Sequence, residues 1–254
     1  MILDTPSQSP LITKNKQLFL FFLGWIGLLV FAIVFSALFA VVLPFFLSVE
    51  DVDIFLNSEI FFSYVNFLTY LSLFFIGIIL IWPFLRKTFI PALISAKWWL
   101  GLPFTFAILF TSFGLVSLYD LLGIELENNQ NQAAIVRLVN DAPLISFVTF
   151  GLLGPIVEEW TYRLGLFQYL RSRSRWLAYG VTLTIFGFIH FNFATTNLTN
   201  ELLNLPIYLV AGAWFCFLYD RFGLQVAMST HIANNVLSVL SIFISSEISS
   251  SLSI

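Results

Sequence analysis

Seven stretches of this chain are long and apolar enough to cross a lipid bilayer: roughly 18–47, 60–85, 98–122, 144–170, 176–193, 202–219 and 224–244. No other feature constrains the fold as much, because backbone in hydrocarbon must satisfy its own hydrogen bonds as a helix or a closed barrel. Runs of about 20 residues fit helices, whereas barrel strands need about half that length. The expected fold is therefore all-α, a polytopic membrane bundle of about seven to eight transmembrane helices around a buried polar cavity. The fifth and sixth stretches are short, which implies little tilt or ends buried in the bundle. Composition agrees: 10% of the 254 residues are charged and 59% hydrophobic, where a soluble domain carries about 25% charged residues. The deficit runs along the whole chain.

The polar remainder organises the spans. Residues 1–17 read as a cytoplasmic tail before a retained first span, since the apolar run that follows is longer than a signal-peptide core. Residues 18–143 hold about three spans and 144–244 about four, and the serine-rich tail 245–254 reads as frayed. Segment 89–95 reads as an interfacial piece and 133–139 as a short amphipathic helix. With the N-terminus inside, Lys14, Lys16, Arg86, Lys87, Lys97, Arg171, Arg173, Arg175 and Arg221 fall in the cytoplasm and only Arg137 outside, as the positive-inside rule requires. The acidic loops around Glu50, Asp51 and Asp53 and over 125–141 then face outward. The arginines of 171–175 read most simply as a topology determinant. No internal repeat suggests a transporter of inverted halves. No P-loop, nucleotide fingerprint or basic block supports nucleotide or nucleic-acid binding, and the lone Cys216 excludes an intrachain disulfide.

Against this background Glu158, Glu159 and Arg163 stand out, three ionisable residues inside the fourth apolar stretch. Each costs on the order of 3 kcal/mol at membrane depth, so a function is the default explanation. On a helix Arg163 lies one turn beyond Glu159 and can pair with it, which leaves Glu158 free. Pro155 lacks an N–H and is expected to release the carbonyl of Gly151, kinking the helix beside the charges. The two histidines of the chain, His190 and His231, also lie in spans, with Phe186 one turn before the first and Asn235 one turn after the second. At about 1.5 Å per residue from the basic ends, Glu158 and His190 lie about 20 Å deep, Asn235 about 16 Å and His231 about 10 Å. A tilt or a buried start to the last helix would bring His231 level.

A carboxylate beside histidine can take a proton from water, and an imidazole with an amide can stabilise the oxyanion that follows. Two histidines and a carboxylate can also hold zinc, at His190, His231 and Glu158, although no His-Glu-x-x-His run is present. Ser229, near His231, lacks the Gly-x-Ser-x-Gly context of a serine nucleophile. A non-enzymatic alternative is a proton-linked transporter or an immunity-type binding protein using the same buried groups.

Glu158-Glu159-x-x-x-Arg163, Phe186-x-x-x-His190 and His231-x-x-x-Asn235, in that order on three helices, resemble the type II CAAX prenyl endopeptidases and bacteriocin-processing enzymes. These form the ABI or CPBP family of glutamic intramembrane proteases, and the resemblance covers about residues 144–240. It implies catalysis by Glu158, His190, His231 and Asn235. Glu158 with His190 would activate water, His231 with Asn235 would form the oxyanion site, and Glu159, Arg163 and Phe186 would support them. It further implies no cofactor, a membrane-embedded or lipidated peptide as substrate, and residence as a multi-pass membrane protein; the compact chain, with no long soluble insert, points to a bacterial-type plasma membrane.

Overall fold

The computed structural model describes residues 12–93 and 95–252. Among these the chain is helical throughout, with no strand. In order the helices are α1 (Lys14–Val42), α2 (Val49–Leu56), α3 (Glu59–Leu93), α4 (Ala96–Leu121), α5 (Gln130–Asp141), α6 (Pro143–Arg171), α7 (Arg175–Phe188), α8 (Leu198–Phe222) and α9 (Leu224–Leu252). Their starts follow local chemistry. The side chains of Thr13, Ser48, Ser58, Asn129, Ser174 and Asn197 each accept a hydrogen bond from the backbone N–H three residues on, satisfying donors that the first turn leaves free. Gly223, at φ 98°, makes the sharp reversal between α8 and α9.

Six of these helices, α1, α3, α4, α6, α8 and α9, are long and apolar enough to cross a membrane. The chain is thus an integral membrane bundle, but with one clear span fewer than the seven expected. The fifth stretch, 176–193, is the exception: α7 has 14 residues and at 1.5 Å each reaches about 21 Å, short of the roughly 30 Å of hydrocarbon. Past Phe188 the backbone tightens, His190 and Phe191 N–H donating to carbonyls three residues back, and the chain then leaves the helix as the backbone N–H of Asn192 donates to Glu201 Oε2 at 3.1 Å. Other boundaries also move. The sixth stretch, expected over 202–219, is the 25-residue α8. Residues 89–93 are no separate interfacial piece, since α3 runs through a π-helical turn (Leu85–Phe89) to Leu93, and residue 94 lies outside the described residues. The tail expected to fray continues α9 to Leu252, with 253–254 outside the described residues. Of the expected 1–17 tail, residues 1–11 lie outside the described residues and α1 begins at Lys14.

Helix α6 is the axis of the bundle. Of its apolar window 61% is buried, against 6% for α1, which turns Trp25, Leu29 and Ile33 outward. α1 nevertheless crosses α6 closely: a Cβ at Gly165 would stand 2.9 Å from Phe21 N and 3.1 Å from Gln17 O. Such small residues let membrane helices approach backbone to backbone. Gly165→Leu is expected to prise α1 from α6 and to cost about 1–3 kcal/mol, the usual range for overpacking. Thermal unfolding in detergent measures this, and an unchanged midpoint would mean that α1 adapts freely.

The ends of the bundle differ in charge. At one end Lys16 Nζ reaches Leu80 O (3.5 Å), and Asp220 bridges Arg171 (3.0 Å) and Arg175 (2.8 Å), tying the arginine loop to α8. At the other, Arg137 pairs with Glu59 at 2.8 Å, and the backbone carbonyl of Glu127 accepts from the side-chain amide of Asn204 at 3.0 Å, in a stretch that also carries Glu125 and Asp141. We call these the basic and the acid-rich ends.

Candidate active site

The site is built on an irregular stretch of α6. Residues Phe147–Leu153 and Glu159–Phe167 wind as π-helix, on either side of an α-helical turn Gly154–Glu158. Wide turns of this kind concentrate at functional positions. They also correct the expectation for Pro155. Gly154 N–H already bonds five residues back, to Thr149 O, so in that register the acceptor falling to position 155 is Phe150 O, not the carbonyl of Gly151. Proline cannot serve it. The side-chain amide of Asn235 does so instead, donating from Nδ2 to Phe150 O at 3.1 Å.

Glu159 and Arg163 are wholly buried. Arg163 Nη1 lies 3.2 Å from Glu159 Oε1, the pairing expected from their spacing, which the wider turn preserves. No guanidinium nitrogen finds an acceptor in hydrogen-bonding geometry. The cation is held instead between aromatic faces, 4.6 Å from the Phe186 ring centre and 5.2 Å from that of Phe215, contacts that gain strength where water is excluded. The same Glu159 oxygen lies 2.9 Å from His231 Nδ1. Bonded there as a donor, Nδ1 leaves Nε2 turned toward Glu158 Oε2, 3.8 Å away. One carboxylate thus faces the cation and orients an imidazole, and the other meets that imidazole's far side.

His190 is held differently. Its ring stacks on Tyr208 with centres 4.6 Å apart, and its carbonyl accepts from Asn129 Nδ2 at 3.0 Å. Tyr208 in turn donates its hydroxyl to Asn129 Oδ1 at 3.1 Å. Phe186 stands edge-on to both imidazoles, at 5.2 Å from His190 and 5.9 Å from His231. The loop carrying His190 is fixed by Glu201, whose two carboxylate oxygens accept from the backbone N–H of Gln130 (2.7 Å) and of Asn192 (3.1 Å).

Glu158, Phe186, His190, His231 and Asn235 therefore line one cavity of about 280 Å³, while Glu159 and Arg163 lie behind its wall. A larger cavity of about 670 Å³ at the basic end, lined by Lys97, Arg171 and Asp220, contains none of them. The smaller one is the candidate site, because it holds the buried acid and both imidazoles. Among the described residues no group of three or more His, Cys, Asp or Glu could hold a metal ion. Sequence reasoning missed Asn129, Glu201, Tyr208 and Phe215, and Tyr70 of α3, which also lines the cavity. The available signal was the polar face of Asn197, Asn200, Glu201 and Asn204 at helical spacing in an otherwise apolar stretch.

A multi-pass helical membrane protein with an acid–histidine cluster buried at mid-bundle is the class that fold and site define. Residues 140–237 match the model of the family described as type II CAAX prenyl endopeptidase Rce1-like, so the resemblance carried by the three motifs is shown over that segment, as similarity to a family of membrane proteases. No curated protein and no solved structure matches the chain.

Proposed function

We propose that the chain is an intramembrane glutamic endopeptidase that hydrolyses peptide bonds of membrane-embedded or lipidated substrates without a metal. The observation that carries this reading is the convergence of Glu158, His190, His231 and Asn235 on one cavity. Glu158 is the general base: it takes a proton from water as the water oxygen attacks the scissile carbonyl. The oxyanion that forms needs donors, which the imidazoles and the second N–H of the Asn235 amide can supply. His231 is the imidazole beside Glu158, and His190 completes the polar wall. As the C–N bond breaks, the proton passes to the leaving amine.

The basic bias argues for a cytoplasmic N-terminus, and a compact chain with no long soluble insert argues for a bacterial-type plasma membrane. Mass spectrometry of membrane and exported peptides, with and without the protein, tests the function: an uncut peptide is expected to accumulate without it, and identical peptide pools would count against a protease. Activity of the purified protein is expected to survive strong chelators. Loss on chelation with rescue by stoichiometric zinc would instead make Glu158, His190 and His231 a ligand set.

A further inference from the structure

The cavity extends beyond its acid and histidines in one direction. Asn66 of α3, Asn131 and Gln132 of α5 and Ser238 of α9 continue its wall toward the acid-rich end. Gln132 also lines a second cavity, about 360 Å³, between α5 and α9, with Asn128, Asn140, Ser241 and Ser245. That side chain is wall to both spaces. On α9, residues 234, 238, 241 and 245 recur at spacings of three and four, so Asn234 and three serines share one helix face. That face links the second cavity to the site. Toward the basic end the site is closed by Phe186, Phe215 and His231, behind which Arg163 and Glu159 are wholly buried.

Charge decides what can occupy this route. No lysine or arginine is among the described residues lining either cavity, and among them Glu158 is the one carboxylic acid. An entering carboxylate would meet no cation and would approach another acid, a costly arrangement away from water. Asn and Gln amides, in contrast, both donate and accept, which suits the N–H and C=O groups of a peptide backbone. From Asn234 to Ser245 the α9 face rises about 16 Å, room for about five extended residues.

We propose that the site receives its substrate from the acid-rich end, through the groove between α5 and α9, and that the occupant is an uncharged stretch of polypeptide, not a free C-terminal carboxylate. The choice of occupant rests on the protease reading; the route does not.

Single cysteines test both parts, since the native Cys216 is wholly buried. Ser245→Cys, Ser241→Cys and Ser238→Cys are treated with a small impermeant methanethiosulfonate in intact cells and in inverted vesicles. Ser172→Cys marks the basic end, and Phe243→Cys marks the outward face of α9. All three groove positions are expected to react in the preparation where Ser172→Cys does not. Ser238→Cys should react at least about tenfold faster than Phe243→Cys, whose thiol meets lipid and stays un-ionised. Reaction of Ser238→Cys from the same side as Ser172→Cys, or no faster than Phe243→Cys, overturns the route. For the occupant, an acetylated and amidated decapeptide of Ala, Ser and Leu is expected to slow Ser238→Cys modification more than its free-carboxylate form. Equal protection, or none, overturns the occupant. Neither readout needs cleavage, so a protein with an open route that cuts nothing would sink the protease reading alone, and one that cuts with the route closed would sink this proposal alone.

Discussion

Glu158→Gln is expected to leave the bundle folded and to lower cleavage by a factor of about 10²–10⁴, the usual contribution of a positioned general base. The substitution keeps the size and polarity of the side chain and removes only the proton acceptor. Glu158 faces the cavity, and its partner across it is His231 Nε2 at 3.8 Å, too far for a hydrogen bond on which the fold would depend. Product formation and the unfolding midpoint in detergent, measured on one preparation, separate chemistry from stability. A variant that keeps full activity would remove Glu158 from the mechanism.

Glu159→Gln should be damaging in two ways at once. It strands Arg163 in the bundle interior without its counter-charge, and breaking a buried pair in this manner typically costs about 3–5 kcal/mol. It also changes the anchor of His231 Nδ1, which lies 2.9 Å from the lost carboxylate oxygen, so the imidazole loses the partner that sets its tautomer. Lower expression, a lower unfolding midpoint and reduced cleavage are all expected. Adding Arg163→Met removes the stranded cation and should recover part of the stability but not the activity. If Glu159→Gln is well folded and inactive while Glu158→Gln cleaves normally, the roles of the two acids are exchanged.

The sequence made the local part of this site legible. Glu159 and Arg163, Phe186 and His190, and His231 and Asn235 are each four apart, and a spacing of one turn survives even where α6 winds as π-helix. The depth of His231 came out too shallow for a physical reason. α9 starts inside the protein, with Leu224, Val226 and Ala227 wholly buried, so distance along the helix does not measure depth in the membrane. What stayed hidden was long-range. Glu201 fastens the start of α5 and the loop after α7, and Asn129 joins α5 to His190 and Tyr208; helical spacing marks Glu201 as part of a polar face but does not name the distant groups it binds. The π register was equally invisible, and with it the identity of the carbonyl that Pro155 abandons.

That carbonyl has a further meaning for an unloaded enzyme. Phe150 O sits against the Asn235 amide, so a peptide carbonyl of the protein itself already occupies part of the seat where, in the proposed mechanism, a substrate carbonyl would be polarised. The amide never waits bare in an apolar interior. In that mechanism an arriving carbonyl takes the amide's second N–H, while Phe150 O keeps the first and so fixes the direction in which the amide points. Proline at 155, by leaving Phe150 O unserved within α6, supplies the bond that would aim this donor before a substrate arrives.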